Sequence, residues 1–377
     1  MAKNFKSAWG LDIGTDSLKV AHVRRADGHI SFESQDYAYH KPLWMKDSHT
    51  GVVDDAIGRF MDTQEVAKGE PIVINIPTRF GLMRFFEPPP IAASKIKDIA
   101  NHEARQQIPF DLEDVVFEVI QTRGECVDGF LMESEFVIVA AKINMVEQRL
   151  ALFNNFKDLR ITQAVLEPFA ILTAMEYQHD ETGADADTDD VVGVISMGAE
   201  CSTLMFTRIS DGGIVRPMYL ADIPIGGVHW TRQLAKELKL TWVKAEHLKR
   251  NVAEAEDARA VIQSMRPVYN DFVVEVKRRI EYFMKSNRDS SISKFVVTGD
   301  GFLLPGLVAY LEKDIGYPVE KLEPQRFVAF GLALQGLGFG ENLNNLMPPR
   351  KSIIDNLDLG WVKRMIPRWR NPFVWDR

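Results

Sequence analysis

The sequence predicts an α/β protein made of two lobes with similar topology. Its 377 residues exceed what one ordinary hydrophobic core holds, which favours two domains. Short apolar runs typical of buried strands alternate with longer segments in which apolar residues recur at helical spacing. The early stretch "GLDIGTDSLKV" is echoed in the second half by "VISMGAECSTL", each typical of a strand, a glycine turn and a second strand. Aligning Gly14 with Gly198 places Ser196 opposite Asp12, which indicates an internal duplication.

The first half of the chain alternates predicted strands and helices. Apolar runs predict a strand pair at 7–25 and further strands at 30–39, 71–77, 115–122 and 135–142. Helical spacing predicts helices at 52–66, after a proline stop within 87–110, and at 143–156. The segment 179–190 carries six carboxylates, and we expect a solvated linker there.

The second half restarts the pattern with a strand pair at 191–208. Helices are predicted at about 228–239, 243–257 and 261–286. The segment 293–316 then combines a strand, a glycine turn and a helix. The last segment, 341–377, is rich in Asn, Pro and Arg and lacks periodicity.

The composition argues against several classes of protein. Hydrophobic residues make up 46% of the chain and charged residues 26%, as in soluble globular proteins. A net charge of −8 without basic bias argues against nucleic acid, whose binding needs clustered Lys and Arg. Cys126 and Cys201 give neither a disulfide framework nor a metal-binding spacing, and they fit a reducing cytoplasm. The N-terminus lacks the apolar core of a signal peptide, and no apolar run reaches the roughly 18 residues of a membrane helix.

Glycine-containing turns lie at three predicted strand ends, at 12–17, 196–203 and 298–301. Glycine lets the backbone approach a ligand closely, and successive backbone N–H groups in such turns form anion sites. Thr15 and Ser17 add hydroxyl donors to the first turn, and Lys19 adds a positive charge if it points inward. The third turn leads into a helix N-terminus, which also favours phosphate.

Asp12 decides what the first turn is suited to bind. A carboxylate repels a bare phosphate but suits one bridged by a hard cation or its waters, such as Mg²⁺. The first turn therefore favours a metal–polyphosphate, although each turn taken alone is typical of an ordinary hairpin. No G-x-x-x-x-G-K-[ST] motif occurs, which excludes a P-loop enzyme, and the first turn lacks the G-x-G-x-x-G spacing of a dinucleotide fold.

Two further features are candidates for the ligand site that these turns would form. Glu167 stands just before Pro168, which suits the first turn of a helix, and a carboxylate there can position a water molecule. The alternative is a surface glutamate stabilised by the helix dipole. The pair Gly226 and Gly227 precedes a predicted helix and is equally typical of a simple turn.

These motifs resemble those of the actin-like ATPase superfamily, which includes actin, MreB, FtsA, sugar kinases and the heat-shock chaperone ATPases. "GLDIGTDSLKV" resembles its first phosphate motif, "VISMGAECSTL" the second, "LEPFA" the connecting helix and "VVTGDGFLLPGL" the adenosine motif. Within the superfamily, "NHEARQQIPFDLEDVVFEV" at 101–119 resembles the signature of the PilM family of type IV pilus assembly. "DIPIGGVHWTRQLAKEL", "EVKRRIEYF" and "FGLALQGLG" continue in register, so the similarity covers about residues 7–340.

The resemblance implies a duplicated actin-like (ribonuclease H-like) two-lobed ATPase fold with a small inserted FtsA/PilM-type subdomain. The expected parts are 1–84 (first part of lobe I), 85–160 (inserted subdomain), 161–190 (end of lobe I and acidic linker), 191–340 (lobe II) and 341–377 (irregular basic and aromatic tail).

The resemblance also implies ATP or ADP with Mg²⁺ between the lobes. The residues expected near the phosphates and the metal are Asp12, Gly14, Thr15, Asp16 and Ser17, with Asp12 reaching the metal through water and Lys19 beside them. The second lobe is expected to contribute Ser196, Gly198 and Ala199 to the phosphates, Gly226 and Gly227 to the ribose, and Gly299, Asp300 and Gly301 to the nucleoside. Lys277, Arg278 and Glu281 are expected to flank the adenosine, and Glu167 matches the glutamate associated with the attacking water in some relatives.

Two residues depart from the superfamily pattern. The second phosphate motif normally begins with Asp, and here it has Ser196, whose hydroxyl cannot replace a carboxylate beside Mg²⁺ or its waters. We therefore expect slow or absent hydrolysis with binding retained, at most a slow ATPase. Asp300 interrupts the consecutive glycines frequent in the adenosine turn, where it either repels phosphate or hydrogen-bonds a ribose.

The resemblance implies a partner as well as a ligand. A groove of the family takes a short N-terminal peptide of PilN, an inner-membrane protein, so a cytoplasmic scaffold peripheral to the inner membrane is expected. The segment "NLNNLMPPR" at 342–350 resembles the Asn-Leu-Leu-Pro type of segment that PilN offers, and we hypothesise that it occupies this groove in cis or in a neighbouring copy.

The C-terminal segment 361–377 carries three Trp, five basic residues and one Asp, which suits either an anionic membrane interface or a docking partner. The remaining alternative is a tail that binds neither a membrane nor a partner. A homo-oligomer also stays open.

Two other functions within the superfamily stay open at this point. A sugar or metabolite kinase needs a substrate-side general base, which we cannot assign in the sequence, and it leaves the 101–119 signature unexplained. An FtsA-like filament protein is compatible with the inserted subdomain and the basic tail.

Overall fold

The computed structural model shows two lobes and a smaller inserted subdomain. It describes residues 5–26, 28–40, 42–43, 51–182, 191–209, 213–322, 326–341 and 343–348. Most of the predicted acidic linker at 179–190 and the whole Trp- and Arg-rich segment at 361–377 lie outside these ranges. None of the helices within them is long and apolar enough to cross a membrane.

The first lobe begins with antiparallel strands and a helix. Its elements before the insertion are β1 (Ser7–Ile13), β2 (Ser17–Ala26), β3 (His29–Ala38), α1 (Gly51–Thr63) and β4 (Ile72–Ile76). β1 pairs antiparallel with β2 and parallel with β4, and every residue of β4 is buried, as expected for a parallel strand covered on both faces. The strands and the helix predicted for this region are confirmed to within a few residues.

The inserted subdomain has its own sheet and a small core. Its main elements are β5 (Gly81–Phe86), β6 (Ile91–Ala92), α2 (Ile96–Gln107), β7 (Val115–Val127) and β8 (Phe130–Lys142). β5, β6 and β7 all pair with β8, and α2 buries Ala100 and Ala104 against this sheet. The last two strands extend beyond their predicted ends because they form one hairpin. Its turn at Asp128 and Gly129 has positive φ at both positions, the conformation that an Asp-Gly pair favours.

The chain returns to the first lobe through α3 (Ile143–Ala151), β9 (Ile161–Leu166) and α4 (Glu167–Thr182). β9 pairs parallel with β4 and forms the edge of a sheet with the order β3-β2-β1-β4-β9. Val146 of α3 is buried in a core cluster that contains residues of both the first lobe and the insertion. This helix, expected to belong to the insertion at 85–160, contacts β8 of the insertion and also reaches lobe I, where Arg149 donates to the Ile13 carbonyl oxygen.

The second lobe repeats the topology of the first. Its elements are β10 (Val191–Met197), β11 (Ser202–Ile209), β12 (Val215–Ile223), α5 (Gly227–Glu237), α6 (Trp242–Arg250), α7 (Ala258–Ser286), β13 (Ile292–Thr298), α8 (Leu307–Ile315) and β14 (Val319–Lys321). The sheet order β12-β11-β10-β13-β14 matches the first sheet strand for strand, with the same parallel and antiparallel pairings. The predicted duplication is confirmed.

The last helix, α9 (Phe327–Gly336), follows the second lobe in the chain but packs on β1 and α4 of the first. The range 191–340 expected for lobe II thus contributes its final helix to lobe I, because α9 is buried along its whole length and needs a surface on each side. Gly331 makes the close approach possible, since a Cβ at this position would lie 1.8 Å from the Ala170 carbonyl oxygen.

We predict that Gly331→Ala lowers the free energy of unfolding by at least about 2 kcal/mol, because the added methyl group forces α9 away from α4. The matched control is Gly58→Ala in α1, where a Cβ meets nothing within 4 Å, and which should stabilise by about 0.5–1 kcal/mol through helix propensity. Urea unfolding of both variants measures the difference. Equal effects of the two substitutions would refute the close α4–α9 contact.

Candidate functional site

Two glycine hairpins of the same construction open the two lobes. In the first, the Gly14 N–H donates to the Ser17 carbonyl oxygen at 2.9 Å. In the second, the Gly198 N–H donates to the Cys201 carbonyl oxygen at 3.0 Å. The alignment of Gly14 with Gly198 therefore holds at the level of a single hydrogen bond.

The Asp12 side chain is held in place from behind by the neighbouring strand. Asn75, near the end of β4, donates from Nδ2 to Asp12 Oδ1 at 2.8 Å. The Asn75 Oδ1 accepts from the Ile13 N–H and from Arg149 Nη2, both at 2.9 Å. Arg149, on α3, also donates to the Ile13 carbonyl oxygen at 2.6 Å. The orientation of Asp12 is thus fixed by β4 and by the helix that follows the inserted subdomain.

The surroundings of Asp12 do not fully compensate its charge. Burial raises the pKa of Asp12, and the nearby cations Lys19 and Arg149 offset this only in part. A divalent cation, held directly or through its waters, would supply the missing positive charge. Among the described residues no group of three or more His, Cys, Asp or Glu side chains could hold a metal. The donor set therefore fits Mg²⁺ carried mainly by phosphates and water, with Asp12 as a single carboxylate.

Glu167 begins α4 at the end of β9 and shares an electrostatic environment with Asp12. Burial is the main cause that raises the pKa of Glu167 to about 8, with the charge of Asp12 acting in the same direction and Arg149 opposing both. At neutral pH the side chain is therefore mostly protonated. In this state it can donate a hydrogen bond to a water molecule but is a poor general base.

Asp222 brings a carboxylate to the second lobe near Ser196, and the sequence analysis missed it. In the β-sheet register Ser196 pairs with Thr203, and Thr203 pairs with Asp222 on β12. Burial raises the pKa of Asp222, with Arg79 and Arg279 acting in the opposite direction. Its Oδ1 atom is buried and has no hydrogen-bond partner among the described residues. A buried carboxylate oxygen without a partner is suited to accept a hydrogen bond from a ligand or a water molecule.

Lys19 links the first hairpin to the third glycine turn. It is directly opposite Asp12 in the β1–β2 register, so both side chains leave the same face of the sheet. The Lys19 Nζ lies 3.4 Å from Asp300 Oδ2 on the other lobe. Burial lowers the pKa of Lys19, but the carboxylates of Asp300 and Asp16 outweigh it and the net shift is upward. The inward position considered for Lys19 is the one observed, and Asp300 is its partner.

Further polar contacts join the two lobes around these turns. Asp16 lies 3.9 Å from Arg250 on α6, and Arg79 lies 3.6 Å from Glu200 in the second hairpin. These two pairs are partly exposed, so each adds little stability by itself. The Thr203 hydroxyl donates to the Thr78 hydroxyl at 3.0 Å in a buried position. The first and second hairpins are therefore each in contact with the opposite lobe.

Gly226 and Gly227 bring α5 against the second hairpin. The Gly227 N–H donates to the Gly198 carbonyl oxygen at 3.1 Å, and the Val228 N–H to that of Ala199 at 2.8 Å. A Cβ at Gly226 would lie 2.7 Å from the Ala199 carbonyl oxygen. Only glycine allows this approach at position 226, whereas a Cβ at Gly227 would lie 3.6 Å or more from its neighbours.

The start of α5 also receives two charged side chains that the sequence analysis did not single out. Lys249 on α6 donates to the Gly227 carbonyl oxygen at 3.1 Å and pairs with Glu246 at 2.7 Å. Glu246 also accepts from the Thr231 hydroxyl. This network places an ammonium and a carboxylate beside the glycine pair expected to lie near the ribose.

The third turn uses its glycines for packing. Gly299 has φ of 98°, a conformation that favours glycine, and a Cβ there would lie 2.3 Å from the Met197 carbonyl oxygen. A Cβ at Gly301 would lie 2.2 Å from the Met197 sulfur. The turn is thereby pressed against the end of β10, which carries the second hairpin.

Of the three predicted adenosine-flanking residues of α7, Arg278 lines a pocket together with Pro224 and Ile225, which stand just before Gly226 and Gly227. Lys277 lies 3.8 Å from Asp314 on α8, and Arg278 pairs with Glu275 one turn earlier in its own helix. Glu281 is exposed.

The residues that the sequence analysis missed differ in how easily the sequence alone could have revealed them. Asn75 is a polar residue inside the apolar run "IVINI", which is a usable sign of a buried hydrogen bond. Glu246 and Lys249 are three residues apart in "WVKAEHLKR", a spacing that also fits a solvent-exposed helix face. Arg149 and Asp222 give no local sign, because the tertiary fold alone brings them to the cleft.

Comparisons with known proteins agree with this architecture. A family model described as type IV pilus assembly protein PilM matches residues 10–337. A chain of the PilM–PilN type IV pilus biogenesis complex is similar with a TM-score of 0.73 and 21% identity, covering 89% of this chain and 99% of its own. The ethanolamine utilization protein EutJ from Carboxydothermus hydrogenoformans is similar with a TM-score of 0.51 and 15% identity, covering 87% of this chain and 89% of its own. No curated protein matches the chain in sequence. The expected two-lobed actin-like fold is confirmed.

We predict that Glu167→Gln is more stable to heat than the wild type, and that this difference grows as the pH rises. The pKa of Glu167 rises from 4.5 to about 8 on folding, so the wild type is favoured below pH 4.5 and loses stability as pH rises through 8. The variant cannot ionise and escapes this loss. The difference in melting temperature between variant and wild type should grow by at least about 2 °C between pH 5 and pH 9. The exposed Glu65→Gln is the control, and a pH-independent difference for Glu167→Gln would contradict the raised pKa.

Proposed function

The chain belongs to the PilM family of type IV pilus assembly proteins, and from this premise we propose that it binds ATP and Mg²⁺ between its lobes. It is an actin-like scaffold protein of type IV pilus assembly. The nucleotide-binding proposal rests chiefly on the two matching glycine hairpins at the cleft, one of which carries the fixed carboxylate of Asp12.

The proposed roles follow from position in the cleft. The backbone N–H groups of Thr15, Asp16 and Ser17 and that of Ala199 would hold the phosphates from the two sides, while Gly14 and Gly198, whose own N–H groups close the hairpins, would let the phosphates approach closely. Asp12 would orient the waters of Mg²⁺, and Lys19 would lie beside the phosphates once its contact with Asp300 is released. Gly299, Asp300 and Gly301 remain candidates for the nucleoside.

For the ribose side we add Glu246 and Lys249 to Gly226 and Gly227, because both side chains converge on the first turn of α5. Arg278 stays a candidate for the adenosine side because it lines a pocket with Pro224 and Ile225, whereas Lys277 pairs with Asp314 on α8 and Glu281 is exposed. Ser196 would contribute a neutral hydroxyl near the phosphates.

We propose weak or absent hydrolysis. Ser196 supplies no charge at the position that is Asp in the superfamily motif, and Glu167 is largely protonated at neutral pH. Asp222 adds a carboxylate two strands away from Ser196, but its pKa is also raised by burial. A site that binds nucleotide tightly and turns it over slowly suits a conformational switch, because the bound ligand then holds one arrangement of the lobes.

The partner we propose is the cytoplasmic N-terminal peptide of a PilN-type inner-membrane protein, as the PilM–PilN complex suggests. On the same grounds we propose that the protein acts at the cytoplasmic face of the inner membrane. The PilM match over residues 10–337 favours this role over a sugar kinase or a filament protein.

We predict that Asp12→Asn removes the Mg²⁺ dependence of ATP binding. The amide keeps an acceptor for Asn75 but loses the charge, so the effect reports on the metal rather than on the fold. Calorimetry should show that Mg²⁺ strengthens ATP binding to the wild type by at least about tenfold and to the variant by much less. The exposed Asp62→Asn is the control. Failure of the wild type to bind millimolar ATP would end the proposal.

We predict that Ser196→Asp increases ATP hydrolysis by about tenfold or more, because it restores a carboxylate beside the metal. Ser196→Ala, which only removes the hydroxyl, should leave the rate at the wild-type level. Phosphate release under saturating Mg²⁺–ATP measures both rates. An unchanged rate in Ser196→Asp would show that the serine is not what limits turnover.

A further inference from the structure

A short irregular segment after α9, residues 343–348, lies between β9 of the first lobe and β7 of the inserted subdomain. It belongs to no helix or strand, yet Asn344 and Leu346 are almost completely buried. β9 is the edge strand of its sheet, so its outer backbone groups need partners from elsewhere.

The segment forms hydrogen bonds with the outer backbone groups of β9 through two asparagine side chains and one backbone N–H. Asn345 Oδ1 accepts from the Ala164 N–H and Asn344 Oδ1 from the Leu166 N–H, both at 3.2 Å. The Leu346 N–H donates to the Ala164 carbonyl oxygen at 2.7 Å. Asn345 Oδ1 also accepts from the Met347 N–H at 3.1 Å, which holds the segment in its bent conformation.

The inserted subdomain contributes an acidic contact from the other side. Glu118 Oε2 on β7 accepts from the Asn345 N–H at 2.7 Å. Burial raises the pKa of Glu118 to about 7, and the bond from Asn345 opposes the shift. A bond from a backbone N–H to a carboxylate is stronger than one to a neutral oxygen, so Glu118 fixes the backbone of the segment at Asn345.

Leu346 supplies the apolar anchor. Its side chain is 0% exposed and belongs to the core cluster of the first lobe, whereas Leu343 of the same segment is 40% exposed. One buried branched side chain flanked by backbone-directed polar bonds is how linear peptides are recognised at strand edges.

We propose that residues 343–348 act as an internal ligand of the groove between β9 and β7, so that a partner's segment of similar Asn-Asn-Leu sequence must displace them. The inference rests on the proposed function only in taking the partner to be another pilus protein. It adds that partner binding is controlled by competition within the chain.

The competition follows from tethering. The internal segment is linked to α9 by a few residues, so its effective concentration at the groove is on the order of millimolar. A free peptide with the same contacts therefore binds the intact chain weakly, and weakening the internal segment exposes the full affinity of the groove.

The test uses a fluorescein-labelled peptide of sequence 342–350 and the full chain in anisotropy titrations. Leu346→Ala should bind the peptide at least about tenfold more tightly than the wild type, while the matched Leu343→Ala should behave like the wild type. A peptide with Asp in place of the anchor leucine should not bind. Equal peptide affinity of Leu346→Ala and wild type would overturn the proposal.

A second variant tests the proposal even if Leu346→Ala fails to fold. The double substitution Asn344→Ala and Asn345→Ala removes the two side-chain bonds to β9 but keeps the buried leucine, and should also bind the peptide more tightly than the wild type. Adding Glu118→Ala to this background should weaken binding by about tenfold, whereas the exposed Glu113→Ala should not. No loss with Glu118→Ala would place the peptide elsewhere and refute this groove.

The same titrations separate this inference from the proposed function. A PilN-type N-terminal peptide that binds wild type and Leu346→Ala with equal affinity would refute the competition and leave the partner in place. If the wild type of the same preparation does not bind ATP, the nucleotide proposal is refuted and the inference about the groove is unaffected.

Discussion

The arrangement of the cleft depends on the burial of one carboxylate at a strand end. Asp12 projects from β1 beside Asn75, and Asn75 is in turn held by the Ile13 backbone and by Arg149. Because these bonds come from β4 and α3, the first lobe fixes the carboxylate before any ligand arrives. Its burial makes the negative charge unfavourable, so the site gains most from a ligand that brings a cation.

The two duplicated hairpins have the same backbone geometry but differ in the charge of one side chain. Both hairpins close with the same backbone hydrogen bond, but the position of Asp12 is taken by Ser196 in the second lobe. The carboxylate on that side is Asp222, which lies two strand pairings away from Ser196, and the pKa of Glu167 is raised by burial and by the charge of Asp12. Such a cleft is suited to hold a metal–nucleotide from both sides while providing little base for an attacking water, which agrees with a scaffold whose state is set by occupancy.

The sequence predicted the strands, the duplicated hairpins and the approximate helices because these follow from local periodicity and glycine placement. It placed α9 in the second lobe because chain order suggests this, whereas the buried helix completes the first lobe's core. Arg149 and Asp222 could not be predicted, since only the folded chain brings them near Asp12 and Ser196. The resemblance of 342–350 to a partner's peptide did point to the segment whose described part, 343–348, lies on β9, although the role of Glu118 was visible only in three dimensions.

The central claim is that one nucleotide is held by both hairpins at once. Amide hydrogen exchange of the full chain, with and without Mg²⁺–ATP, tests this claim most directly. The account predicts that exchange slows together at Thr15 to Ser17 and at Ala199 to Cys201, and that removing Mg²⁺ reverses both effects. Slowing in only one hairpin, or in neither at millimolar Mg²⁺–ATP, would contradict it.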